Sequence, residues 1–411
     1  MCSLLRLTGL SVFVLPALCS PATPNKVATA WYAGWHSTTG FALSNVTWSK
    51  YTHLTYAFAE TTADVHSLDT SGSNPDLIPK FVSEAQKHGV KALVSVGGWT
   101  GSRYYSSNVA NSSQRTAFVK TIVEFSKKYQ LDGIDFDWEY PNNQGIGCNS
   151  ISPDDTANFL SFLQELRADP VGKELILTAA TGIAPFMDAS GSPSSNVAPF
   201  AKVLNFVAIM NYDIWGPWSP TVGPNAPLKD SCAAPAHQVG SATSAVARWT
   251  KAGIPANQIL LGVPSYGHSF RVRKAEAYKA GTTTLASYPS FDASSPPTGD
   301  SWDDGAGTDV CGNPQTQGGL FNFWGLIVNG FLDDNGSVKA GISSAYDKCS
   351  ETPYVYNPKT EVMVSYDNKQ SFAAKGNFII QNKLAGFAMW EAGGDYNNLL
   401  VDSIRHAVGF H

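Results

Sequence analysis

The sequence predicts an α/β fold: a (β/α)8 TIM barrel with a small α+β insertion subdomain between strands seven and eight. Three observations carry this. Eight short runs of apolar, β-branched and aromatic residues recur along the chain, with stretches of helical periodicity between them. One interval, residues 268–365, breaks the rhythm; it is rich in Gly, Pro, Ser and aromatics and too long for a loop. The length, 411 residues, fits two or three average domains or one large barrel with an insertion. Eight strand–helix alternations favour the single barrel over an open doubly wound sheet.

In chain order the expected strands are Val27–Ala33, His53–Ala59, Lys91–Val96, Gly133–Asp137, Leu175–Ala180, Phe206–Met210, Ile259–Val263 and Gly386–Met389. Lys80–His88 and Gln114–Tyr129 carry amphipathic helical spacing. Ser152-Pro153-Asp154-Asp155 reads as a helix start, with an N-cap, a proline at the first helical position and acids in the first turn. Phe159, Leu160, Leu163 and Leu166 follow on one face.

At the N-terminus Arg6 precedes the apolar run Leu7 to Leu18, and Ala17 and Cys19 provide a small-residue cleavage site. This pattern reads as a secretory signal peptide over residues 1–20, leaving 21–411 as the mature barrel domain outside the cell. The apolar run is well short of the ~20 residues a membrane-spanning helix needs. Beyond that leader four cysteines remain, Cys148, Cys232, Cys311 and Cys349. In a secreted chain they suggest two disulfides with three possible connectivities; the working expectation pairs Cys311 with Cys349 and Cys148 with Cys232. Their spacing suits no zinc ligand set, so no metal and no cofactor is expected. Asn45-Val-Thr, Asn111-Ser-Ser and Asn335-Gly-Ser are candidate glycosylation sequons.

Composition narrows the partner. There are 28 Lys+Arg against 33 Asp+Glu, a formal net charge of −5, and no basic run; this excludes a phosphate-tracking nucleic-acid binder. Charged residues are only 15 % of the chain, while 11 Trp, 16 Tyr and 21 Phe are present. Such a balance suits stacking on a mostly neutral ligand, although aromatic residues also fill cores.

The most informative segment is Leu131-Asp132-Gly133-Ile134-Asp135-Phe136-Asp137-Trp138-Glu139-Tyr140-Pro141. Alternation along a strand puts Asp135, Asp137 and Glu139 on one face and Phe136 and Trp138 on the other. In a barrel the acids face inward and the aromatics face the helices. Mutual repulsion and burial both raise carboxyl pKa values, so an ordinary core would not carry three such residues. Glu139 comes last, at the C-terminal face where barrel enzymes place their chemistry. A carboxyl kept protonated there can donate a proton to a leaving group. A calcium loop is excluded by the intervening Ile, Phe and Trp, and a solvated edge strand by the two aromatics that need cover.

The segment Asp132-x-x-Asp135-x-Asp137-x-Glu139 resembles the DxxDxDxE signature of family 18 glycoside hydrolases, the chitinases. Ser95-Val96-Gly97-Gly98 is similar to that family's SxGG motif, Met210-Asn211-Tyr212-Asp213 to its MxYD motif, and Gly386-Phe387-Ala388-Met389-Trp390-Glu391 to its eighth strand. The motifs occur in the family's order over essentially the whole mature chain. The resemblance implies hydrolysis of β-1,4-linked N-acetylglucosamine polymers with retention of configuration. Glu139 would protonate the glycosidic oxygen, and the substrate's own 2-acetamido oxygen would attack the anomeric carbon. Asp137 would orient the acetamido N–H, Asp135 would share a proton or hydrogen bond with Asp137, and Tyr212 would bond the acetamido carbonyl.

By family position Trp390 would floor the sugar at the cleavage site, with Trp99 and Trp218 on the leaving-group side. Tyr32, Phe58 and Tyr266 sit at strand ends and are expected to line the pocket; Phe58 could equally be barrel core. Gly98, Tyr140, Met210 and Asp213 fall within or beside the motifs and are expected at the same site. The family often has Tyr-Gly-Arg after strand seven. This chain has Tyr266-Gly267-His268, so the arginine's sugar contact has no assigned equivalent, and His268 is either its substitute or a surface residue. The expected partners are chitin and N-acetylglucosamine oligomers, with no nucleic acid and no membrane, and the chain is expected to act as a monomer. Two other readings stand beside hydrolysis of chitin. One is a chitin-binding lectin on the same barrel, disfavoured by the retained Glu139; the other is an endo-β-N-acetylglucosaminidase acting on glycoproteins.

Overall fold

The structure, a computed structural model, describes residues 26–410; the expected signal peptide lies outside the described residues. Seven parallel strands, β1 (Val27–Ala33), β2 (His53–Thr61), β3 (Lys91–Gly97), β4 (Gly133–Asp137), β5 (Ile176–Thr181), β6 (Phe206–Ile209) and β7 (Ile259–Pro264), are joined much later by an eighth, Gly386–Trp390. That last strand pairs with both β7 and β1, and β1 pairs with β2, so the sheet closes on itself. The TIM-barrel expectation holds, and each strand lies within two residues of its sequence-based bounds.

Between β7 and the last barrel strand the chain builds a second, antiparallel sheet. Its strands are β8 (Tyr266–Arg271), β9 (Leu320–Asn322), β10 (Ser343–Asp347), β11 (Thr352–Asn357) and β12 (Val362–Ser365), in the order β9-β8-β12-β11-β10. Gly386–Trp390 is then β13. Only Ser265 separates β7 from β8, so the second sheet is anchored directly at the C-terminal rim of the barrel.

The main outer helices are α1 (Ile78–Lys87), α2 (Ser112–Tyr129), α3 (Asp155–Ala168), α4 (Ala242–Lys251), α5 (Lys369–Gln381) and α6 (Leu399–Val408). Asn111 caps α2 by accepting from the Gln114 amide, and Ser241 and Asn368 form reciprocal capping boxes on α4 and α5. The start of α3 differs from the expected one. Ser152 does not cap it; instead the buried Asp155 carboxylate accepts from the Ser152 and Asn142 amides, which delays the helix to Asp155.

Two apolar layers result. The large one lies between strands and helices and takes Phe136 and Trp138, as alternation requires: Trp138 stacks on Tyr105 at 4.9 Å and Phe136 meets Phe162 edge-on at 5.5 Å. The small one fills the barrel interior with Val27, Trp31, Ala57, Ala180, Ala208, Leu260 and Ala388. Small residues dominate it, which leaves room for polar side chains near the C-terminal rim.

The disulfide expectation is corrected. Cys148 bonds Cys311 and Cys232 bonds Cys349, 163 and 117 residues apart. Each bridge ties a barrel loop to the insertion rather than closing within it, because the folded insertion lies over the loops that follow β4 and β6.

Candidate active site

Register explains how the first acid is held. Asp135 on β4 pairs laterally with Ser95 on β3 and Thr178 on β5, so both hydroxyls share its inward face. Ser95 donates to Asp135 Oδ2 at 2.8 Å, Thr178 to Oδ1 at 2.6 Å, and the Trp31 indole N–H to Oδ2 at 3.0 Å. Burial pushes the Asp135 carboxyl up, and these three donors pull against it. No hydrogen bond joins Asp135 to Asp137 among the described residues; Asp135 takes three neutral donors.

Asp137, two residues on, is flanked by Gly97 and Ala180, which offer no donor. Its buried Oδ1 has no hydrogen-bond partner among the described residues. Burial first, then the charges of Glu139 and Asp135, holds its carboxyl well above the usual range. Glu139 follows, also buried, and is pushed up to about 7 by desolvation, with the Tyr140 hydroxyl opposing and the Asp213 charge adding to the rise. Two carboxyls two residues apart, both held above the usual range by burial, titrate as a pair.

The Glu139 backbone is clamped. Its amide donates to Ser102 Oγ at 3.0 Å, the Ser102 hydroxyl donates to Asp137 O at 2.9 Å, and Asn149 Nδ2 donates to Glu139 O at 2.7 Å. Across the rim, Tyr212 is buried, and burial with nearby carboxylates keeps its hydroxyl protonated and able to donate. Asp213 adopts a left-handed backbone (φ 56°), with its amide donating to Asn225 Oδ1 at 2.9 Å. Its Oδ1 accepts from the Tyr266 hydroxyl and lies against His268 Nε2, each at 2.7 Å.

Trp390 closes the base, next to Trp31 (5.9 Å) and stacked near Phe58 (5.5 Å, 18° between planes). Gly98 makes the Phe58 position possible, since a Cβ there would come within 2.8 Å of the ring. A cavity of about 340 Å3 opens beside Glu139, bounded by Tyr140, Met210, Tyr212 and Asp213. Trp99 and Trp218 stand half or more exposed, at 50 % and 63 %. Trp218 meets His268 edge-on at 5.2 Å.

The structure thus brings together Asp135, Asp137, Glu139, Tyr140, Met210, Tyr212, Asp213, Tyr266, Phe58, Gly98 and Trp390. Tyr32 is the exception. It is fully buried on the helix side of β1, packed on Tyr56 and Phe81, with its hydroxyl donating to Phe41 O. The inward residue of β1 is its neighbour Trp31, which sequence reasoning missed; alternation sets the two on opposite faces, and the Trp31 bond to Asp135 marks the inward one. Trp35, His268 and Glu391 were also not assigned. His268 is buried rather than on the surface, Trp35 stacks beside Phe58 at 6.0 Å, and Glu391 accepts from the Ala33 amide at 3.2 Å.

Buried carboxyls at the C-terminal rim of a closed parallel barrel, beside the Trp390 floor, make this the candidate active site. The family model for glycosyl hydrolases family 18 matches residues 28–395, and the chain belongs to that family. A "chitinase-like effector" of Moniliophthora roreri is 55 % identical over 405 residues, covering 97 % of this chain and 98 % of the relative. Chitinase A1 of Niallia circulans is 30 % identical over 339 residues, covering 77 % of this chain and 42 % of the relative. The crystal structure of a chitinase from Rhizomucor miehei superposes with a TM-score of 0.83 at 34 % identity, covering 93 % of this chain and all of that one.

Proposed function

We propose that this protein hydrolyses β-1,4 linkages of chitin and N-acetylglucosamine oligomers by a retaining, substrate-assisted mechanism. The observation that carries it is the pairing of buried Glu139, protonated near neutrality, with Asp137, whose buried Oδ1 lacks any partner. Ordinary retaining glycosidases set acid and nucleophile on opposite sides of the bond, about 5 Å apart. Neighbours on one strand cannot do that, so the nucleophile comes from the substrate.

Glu139 gives its proton to the glycosidic oxygen as the C1–O bond breaks. The acetamido carbonyl oxygen bonds C1, forming an oxazolinium ion. The free Oδ1 of Asp137 accepts the acetamido N–H and steadies the positive charge, while the Tyr212 hydroxyl donates to the acetamido carbonyl. Asp135, held in place by its three donors, stays beside Asp137 as the third acid of the strand. Glu139, now ionised, takes a proton from the incoming water, which opens the ring with overall retention. Trp390, with Phe58 beside it, offers apolar faces to the sugar C–H groups, and Trp99 and Trp218 flank the leaving group. A secreted form, cut after the leader, agrees with two disulfides, which need an oxidising compartment.

The M. roreri relative and one from Moniliophthora perniciosa are both named chitinase-like effectors, which favours a second reading: chitin oligomers are bound with little turnover. One experiment separates them. Wild-type protein and Glu139→Gln are incubated with N-acetylglucosamine hexamer, and products are analysed by mass and anomer. Shorter oligomers with β-anomeric ends from wild type only, and binding by both, support hydrolysis; intact hexamer bound by both supports the effector-like reading.

A further inference from the structure

A second cavity, of about 500 Å3, shares no lining residue with the one beside Glu139. Three distant segments form it: residues 39–47 after β1, Ser301, Trp302 and Trp324 of the insertion, and residues 392–398 after β13. Its size falls within the roughly 300–1,000 Å3 typical of small-molecule sites.

A row of rings joins it to the catalytic cleft. Trp35 lies 6.4 Å from Trp390 and donates its indole N–H to His36 Nε2 at 2.9 Å. The His36 ring stacks on Trp302 at 3.7 Å, and Trp324 meets Trp302 edge-on at 5.0 Å. Trp302 is fixed by its N–H to Thr39 O at 3.0 Å. Gly393 lets these walls approach, since a Cβ there would lie 3.0 Å from the Phe41 ring and 3.1 Å from Trp302.

The lining selects a ligand class. No Lys, Arg or His lines the cavity, so an anion finds no countercharge. Its one acid, Asp395, is committed to the backbone amides of Tyr396, Leu400 and Val401, so a cation finds no free carboxylate. What remains are aromatic faces, the carboxamides of Asn45, Asn397 and Asn398, and the buried Trp324 indole N–H, which has no acceptor among the described residues. Ring faces with amide and hydroxyl partners suit a neutral, amide-bearing sugar.

We propose that this cavity is a second saccharide site, which holds an N-acetylglucosamine unit of a bound chain beyond Trp35 and so favours long oligomers over short ones. The proposal rests on the chitinase reading above. Asn45 and Thr47 of a sequon also line the cavity, so the same sugar could arrive as the core of the protein's own glycan.

The test uses unglycosylated protein carrying Glu139→Gln, so that binding is read without turnover. N-acetylglucosamine trimer and hexamer are titrated by calorimetry into this parent and into the same protein with Trp324→Ala or Ser301→Tyr. Ser301 is exposed, so its tyrosine variant blocks the cavity while leaving the core packing untouched. Hexamer affinity is expected to fall about tenfold in both, the order of one lost stacking contact, with trimer affinity unchanged. Equal losses for both oligomers, or none, overturn the proposal. A parent that binds neither oligomer overturns the chitinase reading and this one with it. Hexamer affinity left unchanged by Ser301→Tyr, together with an Asn45 glycan that an endoglycosidase releases from Ser301→Tyr but not from wild type, assigns the cavity to the glycan and overturns the substrate assignment.

Discussion

His268 Nε2 and the Tyr266 hydroxyl converge on one oxygen of Asp213, each 2.7 Å from Oδ1, and Asp213 in turn raises the pKa of Glu139. Asp213 is half-exposed, so these two bonds decide where its carboxylate points. A bond to a charged group contributes about 1.5–3 kcal/mol. His268→Ala should therefore lower kcat/KM on chito-oligosaccharides by about tenfold or more and, because the ring is buried, lower Tm as well. His268→Gln, which keeps a donor at similar reach, should recover part of the loss. Steady-state kinetics on the tetramer and hexamer check this, and unchanged values in His268→Ala would show that the pair has no part in turnover.

The buried acids set the pH dependence. Glu139, at about 7, must be protonated to act, so kcat/KM should fall as pH rises through 7. Stability follows the same sign. Glu139 at about 7, Glu391 at about 8 and Asp395 at about 6 all stand above their ordinary values of 4.5 and 3.8. Each contributes stability that is fully present below its unfolded pKa and is lost as pH passes its folded value, at about 1.4 kcal/mol per unit. Calorimetry should show Tm falling from pH 5 to pH 8, and Glu391→Gln should flatten the slope near pH 8. A Tm that rises over this interval contradicts the assignment.

Asp135 offers a third check. Thr178→Val removes its 2.6 Å bond without changing side-chain volume much. Leaving a buried carboxylate short of a donor costs about 1–3 kcal/mol. It should also push the Asp135 pKa further up, alter the charge that Asp137 feels from it and so shift the pH profile of kcat. Thermal melts and the pH profile together test this, since a merely structural effect would lower Tm without moving the profile.

The barrel and its acids were legible because they are local. Strand runs and the Asp135–Asp137–Glu139 alternation depend on neighbours within a few residues. Errors arose where the deciding contact is distant. Tyr32 and Trp31 are adjacent and both aromatic, and only closure of the barrel by β13 shows which one faces Asp135. The disulfides depend on where the insertion lies against the loops after β4 and β6, which no spacing encodes. His268 could not be placed without knowing that β8 starts one residue after β7 and points it back at Asp213.

Those disulfides yield the last prediction. Cys148 is next to Asn149, whose carboxamide holds the Glu139 carbonyl at 2.7 Å, and its partner Cys311 belongs to the insertion. The Cys148–Cys311 bridge therefore pins the loop that sets the acid's backbone. Cys232–Cys349 closes a loop of similar length, 117 against 163 residues, and the hydroxyl of Ser350 beside Cys349 bonds Asp347 and Thr352 rather than Glu139. Loop-closure entropy differs little between the two, so replacing either pair by serine should cost a similar 2–5 kcal/mol. Activity should separate them. At a temperature where both variants remain folded, Cys148→Ser/Cys311→Ser should lose kcat severalfold, while Cys232→Ser/Cys349→Ser should retain it. Equal kcat in the two variants would show that the bridge stabilises the fold without positioning the acid.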